Sequence, residues 1–251
     1  MAFSVRLPDP AYKRHWSGGN VAGTQGDYGP GFASVKVTSD QKIMMSRTNS
    51  QRVLAKAVAG QKWNIQIDYH PMTQAEFRPV DAYLQMKQGA LTPFQVALPQ
   101  YNTPANAAWV TDLATKTFTA QSAHSAGATS IEITGSGSWA SNYNASNDPT
   151  TTNIPLPGEM FTIADSSDTN HTKVYMITYV ETFNTFHVTQ PASSAGLRLG
   201  ISPPLTKNVS TNGILDFLTP IFKVVMPTAV RSYSLNTDNL YKFSLKLEEY
   251  L

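Results

Sequence analysis

Trp63-Asn64-Ile65-Gln66-Ile67-Asp68-Tyr69 leads into His70-Pro71-Met72-Thr73-Gln74-Ala75-Glu76-Phe77, and the chain runs on to Phe94, Val96 and Leu98. In the first seven residues, Trp63, Ile65, Ile67 and Tyr69 alternate with Asn64, Gln66 and Asp68. A period of two means a strand with one face buried. Burying four such side chains contributes roughly 1.5–3 kcal/mol each, before the cost of ordering them. Pro71 ends the strand. Thr73 with Glu76 three residues on is a capping box, so the sequence predicts a helix from Gln74. Phe77, Val80, Leu84 and Met86 share its inner side, and Gly89 supplies a left-handed stop. Pro79 falls inside this helix and removes a backbone donor, at about 3 kcal/mol in an interior position, so a kink or break is expected near Arg78. Phe94, Val96 and Leu98 then alternate again. The unit reads strand, helix, strand, with the helix on the apolar face of a sheet.

Composition narrows the function classes. The 251 residues suffice for one large β domain or two modest ones. Charged residues make up 14% and the net charge is +2, with Lys13-Arg14-His15 the densest basic cluster. Nucleic-acid recognition needs a concentrated basic face, so it is not expected. Cysteine is absent, which removes disulfides and thiolate metal sites. No apolar run approaches the ~20 residues of a membrane-spanning helix, so no membrane insertion is expected.

Outward from the central stretch, residues 1–32 are rich in Gly and Pro and read as an arm or covering loop. Val35 and Val37 mark a short strand. Ile43-Met44-Met45 and Val53-Leu54-Ala55 flank Arg47 to Arg52, and Ala59-Gly60-Gln61 reads as a turn into the Trp63 strand. Residues 99–125 carry Pro99, Pro104 and many Ala and Thr. Beyond them the chain turns rich in Ser, Thr, Asn and Gly. Five short strands are expected there, at Ile131/Ile133, Met160 to Ile163, Val174 to Tyr179, Phe186/Val188 and Leu197/Leu199/Ile201. That spacing predicts a small all-β barrel or sandwich. After Pro203-Pro204 come strands at Ile221 to Val225 and Val230 to Leu235. Last, Tyr241, Phe243, Leu245 and Leu247 alternate with Lys242, Ser244, Lys246 and Glu248. So regular a final strand is expected to dock into the first domain's sheet. Residues 1–112 plus 205–251 then form one domain, and 113–204 an insertion.

The search for chemistry returns little. Histidines 15, 70, 124, 171 and 187 show no ligand spacing, so neither a metal nor a cofactor is expected. Asp165-Ser166-Ser167-Asp168 lacks the alternating oxygens and Gly of a calcium loop. Glu132, Glu159 and Glu181 include enough carboxylates for a glycosidase pair, as any β protein of this size does. Trp139, Tyr143, Tyr175 and Tyr179 are candidates for a sugar-binding platform, with Trp139 and Tyr143 as the glycan contacts. Met44, Met45, Arg47 and Arg52 are candidates for a subunit contact, since Met and Arg are enriched in interfaces.

The order of blocks resembles structural proteins of tailed bacteriophages. Gly60-Gln61-Lys62-Trp63 entering a strand is one block, followed by Pro71-Met72-Thr73, Glu76-Phe77 and the exit from Gly89 to Phe94. In the inserted segment, Ala126-Gly127-Ala128-Thr129-Ser130-Ile131, Gly158-Glu159-Met160-Phe161 and His171-Thr172-Lys173-Val174-Tyr175 are similar to theirs. The ending, Tyr241 to Glu249, resembles the closing strand of tail-tube-type domains. The resemblance implies a mainly β fold of the tail-tube or distal-tail type: a β-sandwich with one flanking α-helix, carrying the inserted small all-β domain. It implies a virion structural protein without an active site, forming a homo-oligomeric, six-fold ring at the tail tube–baseplate junction. Tail tube and baseplate hub or wedge proteins are its implied partners, and assembly takes place in the host cytoplasm. The alternative is a host-recognition or carbohydrate-binding module of the tail tip.

Overall fold

The computed structural model describes residues 6–10, 29–57, 60–137, 153–168, 170–181, 196–228 and 232–251. In chain order the elements are β1 (Phe32–Asp40), β2 (Ile43–Arg47), β3 (Val53–Ala57), β4 (Lys62–Tyr69), α1 (Gln74–Lys87), β5 (Phe94–Ala97), a 3-10 turn (Pro99–Tyr101), α2 (Ala107–Leu113), β6 (Phe118–Ala120), β7 (Ser130–Gly135), β8 (Met160–Ala164), β9 (Val174–Glu181), β10 (Leu197–Ser202), β11 (Ile214–Asp216), β12 (Ile221–Val225), β13 (Tyr233–Leu235) and β14 (Tyr241–Glu249). The chain divides into two units, Met1–Val96 with Lys223–Leu251, and Ala97–Phe222.

The first unit is built on a sheet of order β1-β4-β14-β12-β5, with β13 also paired to β14. In β4 the alternation holds residue by residue, with Trp63, Ile65, Ile67 and Tyr69 buried. Its antiparallel register to β14 places Leu245 opposite Ile67 and Leu247 opposite Ile65, so the two apolar sets coincide. The terminal carboxylate of that strand also turns inward: Glu249 Oε2 accepts the Trp63 N–H at 3.1 Å. Helix α1 covers the apolar face. Phe77 stacks on Tyr241 of β14 at 4.5 Å between ring centroids, and Tyr83 meets Phe94 of β5 edge-on at 5.7 Å.

Three details of α1 differ from expectation. The helix runs unbroken through Pro79, since Phe77, Val80 and Leu84 on either side of it are all anchored in the core. The left-handed residue is Gln88 (φ 52°), one position before Gly89 (φ 69°), which is also left-handed. Tyr83 and Lys87 take the inner side instead of Met86, because Val80, Tyr83, Leu84 and Lys87 follow i, i+3, i+4, i+7 spacing and Met86, two residues after Leu84, falls on the opposite side. At the N-terminus the Glu76 carboxylate accepts from both the Thr73 N–H and hydroxyl at 2.8 Å.

The second unit is a closed barrel, β10-β7-β6-β11-β8-β9, every pair antiparallel. Closure leaves no unpaired edge. Ile131, Ile133, Phe161, Ile163, Tyr175, Ile177, Leu197 and Leu199 fill it. Helix α2 supplies Trp109, fully buried against Phe118 at 4.3 Å and Phe217 at 5.4 Å. Residues 97–112 and 205–222 belong to this unit, although the sequence reading assigns them to the first domain. The reason is packing: Trp109, Leu205, Val209, Leu215 and Phe217 are all part of the barrel core. The fourth expected strand, at Phe186 and Val188, lies outside the described residues.

Candidate assembly surface

The hairpin β2–β3 stands apart as its own two-stranded sheet between β1 and β4 in sequence. Its turn is closed by Thr48 N–H donating to Arg52 C=O at 3.0 Å, with Gln51 left-handed at φ 64°. Ile43, Met44, Met45, Val53 and Leu54 are each 49–68% exposed. Register decides which share a face: Met45 lies opposite Ala55 and Arg47 opposite Val53, while Met44 lies opposite Lys56 and Ser46 opposite Leu54. Directly opposed residues project to the same side. One face therefore presents Ile43, Met45, Arg47 and Val53, and the other Met44 and Leu54. Met44 and Met45, grouped as one patch in the sequence reading, are back to back, and Arg52 sits in the turn. Ile43, Val53 and Leu54 join the exposed apolar set, although the sequence pattern marks them only as flanks of the turn and not as contact candidates.

The sheet adds a second open feature. β1 is the edge strand, nine residues long, and its one partner among the described residues is β4. A long unpaired edge is a template for another strand. The outer face beside it is polar: Lys36, Gln66 and Lys246 form one cross-strand row, and Lys62 pairs with Glu248 at 2.6 Å.

The other candidate residues are dispersed. Trp139 and Tyr143 lie outside the described residues. Tyr175 is no part of a sugar platform, because it is fully buried. Its hydroxyl contacts His171 Nε2 at 2.8 Å and Thr206 Oγ1 at 3.0 Å. Tyr179 is exposed over Gly200, where a Cβ would meet its ring at 2.0 Å. Glu132 and Glu181 flank one guanidinium, Arg198, at 3.4 and 3.5 Å. Glu159 is elsewhere, accepting the Ala105 N–H at 2.9 Å and the Leu156 N–H at 3.1 Å. Burial raises its carboxyl above the ordinary value, against the lowering effect of those amides. The three carboxylates thus do not converge.

Asp165 and His171 both titrate away from their ordinary values in the barrel unit. The Ser210 hydroxyl and N–H, then Ser167, donate to the Asp165 carboxylate and hold it well below the usual range. Burial holds the His171 imidazole below its ordinary value; Asp168 and Asp165 oppose this and Lys207 adds to it. Both side chains tie loops to the barrel.

Comparison with known proteins adds one match. Residues 23–101 match the family described as distal tail protein pb9, A domain, N-terminal, a span that runs from before β1 through β5. No curated protein sequence matches the chain.

Proposed function

We infer from that match that the chain is a phage distal tail protein, a structural component of the virion tail, and we propose that it acts as a ring. In this reading, copies of the chain close a homo-oligomeric, six-fold ring at the junction of tail tube and baseplate. The exposed β2–β3 hairpin carries the reading. An isolated two-stranded hairpin is marginally stable in water, and this one displays five large apolar side chains to solvent. Burial in a neighbouring copy resolves both problems, and the open β1 edge offers that neighbour backbone hydrogen bonds. A closed ring repeats one heterologous contact, so two different surfaces per subunit are what it needs. The barrel unit then contacts hub or wedge proteins, and assembly precedes release from the host cytoplasm. Light scattering and electron microscopy of the purified full chain test this. A ring of uniform subunit number is expected; a strictly monomeric particle, with no antibody label at the tail end of virions, refutes it.

A further inference from the structure

Asn212-Gly213 is the one Asn-Gly pair in the chain. A glycine after asparagine has no side chain to shield its backbone nitrogen, which can attack the asparagine side-chain carbonyl. In the barrel unit this pair ends a tight turn that leads into β11. Gly213 N–H donates to Ser210 C=O at 3.1 Å, and Asn212 is left-handed at φ 72°, the third turn position, where Gly and Asn are favoured. Two further bonds tie the turn to β6: Asn212 N–H donates to Ala120 C=O at 2.9 Å, and Ala120 N–H donates to Gly213 C=O at 2.8 Å. Asp165 holds the start of the turn, accepting the Ser210 N–H at 2.6 Å and the Ser210 hydroxyl at 2.7 Å. Gly213 is buried, whereas Asn212 is exposed and its side chain has no hydrogen-bond partner among the described residues. A free side-chain amide thus sits beside a nucleophile whose N–H is engaged.

We propose that Asn212 is a deamidation site kept shut by the turn that Asp165 holds, and that its modification leaves the β6–β11 seam unable to close. The Gly213 nitrogen gives up its proton and bonds to Asn212 Cγ. The Cγ–Nδ2 bond breaks, and ammonia leaves with that proton. Water then opens the cyclic imide. Cleavage at Cγ gives aspartate; cleavage at the backbone carbonyl of residue 212 gives isoaspartate. Attack requires Gly213 N–H to leave Ser210 C=O, so only the opened turn reacts. Isoaspartate routes the main chain through Cβ and inserts a methylene between the residue 212 N–H and the Gly213 C=O. Those two groups pair with the same residue, Ala120, so both bonds cannot re-form together. β11 begins at the next residue and spans three, with Ile214 opposite Thr119 of β6, so its register starts from this junction. The proposal does not depend on the ring reading.

The test is incubation of the full chain in mildly alkaline buffer, folded and in urea, with peptide mass mapping and isoaspartyl methyl-labelling at residue 212. Deamidation is expected to be slower in the folded chain by the same factor that protects the Gly213 amide from hydrogen exchange. Asp165→Asn should raise the folded rate about tenfold, as loss of a hydrogen bond to a charged group implies. Isoaspartyl chain made in urea and returned to buffer should lack exchange protection at Ala120, where unreacted chain treated alike keeps it. A folded rate equal to that in urea, a slowing unrelated to Gly213 protection, or an Ala120 amide still protected in the isoaspartyl chain overturns the proposal. So does an unchanged rate in folded Asp165→Asn. Should that variant not fold, the measurements on the unsubstituted chain decide. None of these outcomes bears on whether the chain forms a ring.

Discussion

Asp165 shows how one side chain can hold a loop closed. Its two oxygens accept from Ser167 N–H and hydroxyl and from Ser210 N–H and hydroxyl, at 2.6–2.8 Å. Asp165→Asn turns one acceptor into a donor facing donors. Hydrogen bonds to a charged group are worth about 1.5–3 kcal/mol, and a loss of that order is expected in the barrel's unfolding free energy. Hydrogen exchange at barrel amides measures it without assuming that both units unfold together. His171 gives a second expectation, in pH. Its imidazole sits below its ordinary value in the folded chain, chiefly through burial. The unfolded chain therefore binds more protons as pH drops below about 6.5. Barrel stability should be full above that point and decline toward the lower folded value. His124 is also lowered chiefly by burial, although Glu132 opposes it, so its sign is the same. His171→Gln should reduce the slope below about pH 6.5, and a slope unchanged by the variant contradicts this account. Neither residue was singled out in sequence for this role. In sequence Asp165 shows only as one end of a segment that lacks a calcium loop's ligand pattern, because its partner Ser210 is 45 positions away.

At the scale of elements, legibility followed length and period. β4, α1 and β14 each repeat their pattern over eight residues or more, and each formed where the pattern put it. β6 and β11 have three residues each, too few to show a period, yet they close the barrel. β11 lies beyond the expected 113–204 insertion, and so does most of α2, which is why the second unit extends further in both directions than its periodic strands indicate. α2 carries a legible start signal, since Asn106 is a favoured N-cap and its Oδ1 accepts the Ala108 N–H at 3.1 Å. Pro79 does not break α1. Its interior cost is real, but three core side chains hold the helix on both sides of it. Pro79→Ala should therefore stabilise the first unit by ~1–3 kcal/mol, as the missing hydrogen bond to the preceding turn is restored. Glu76→Ala should cost about 1 kcal/mol by removing the capping-box acceptor. Denaturant unfolding of both variants, followed by far-UV circular dichroism, checks the pair; a destabilised Pro79→Ala protein would show that the proline fits a local geometry alanine does not.

At the scale of the whole molecule, the hairpin is a surface without a core of its own. Its register separates two faces, and these make different predictions. Met45 and Val53 share a face with Arg47 and Ile43, the larger apolar side and the one carrying the guanidinium. Arg and Met are enriched where subunits meet, so this is the face expected to bury against a neighbouring copy. Met45→Lys with Val53→Lys places two charges there. Both positions are exposed in the single chain, so its unfolding free energy should move by no more than about 0.5 kcal/mol. In an interface the same change buries unpaired ammonium groups, and the assembly should fall to single subunits by light scattering. Met44→Lys with Leu54→Lys tests the opposite face with the same chemistry. If that second pair abolishes assembly while the first leaves it intact, the neighbour sits on the Met44 side. If neither does, the hairpin is not the contact, and a ring would have to close through the β1 edge alone.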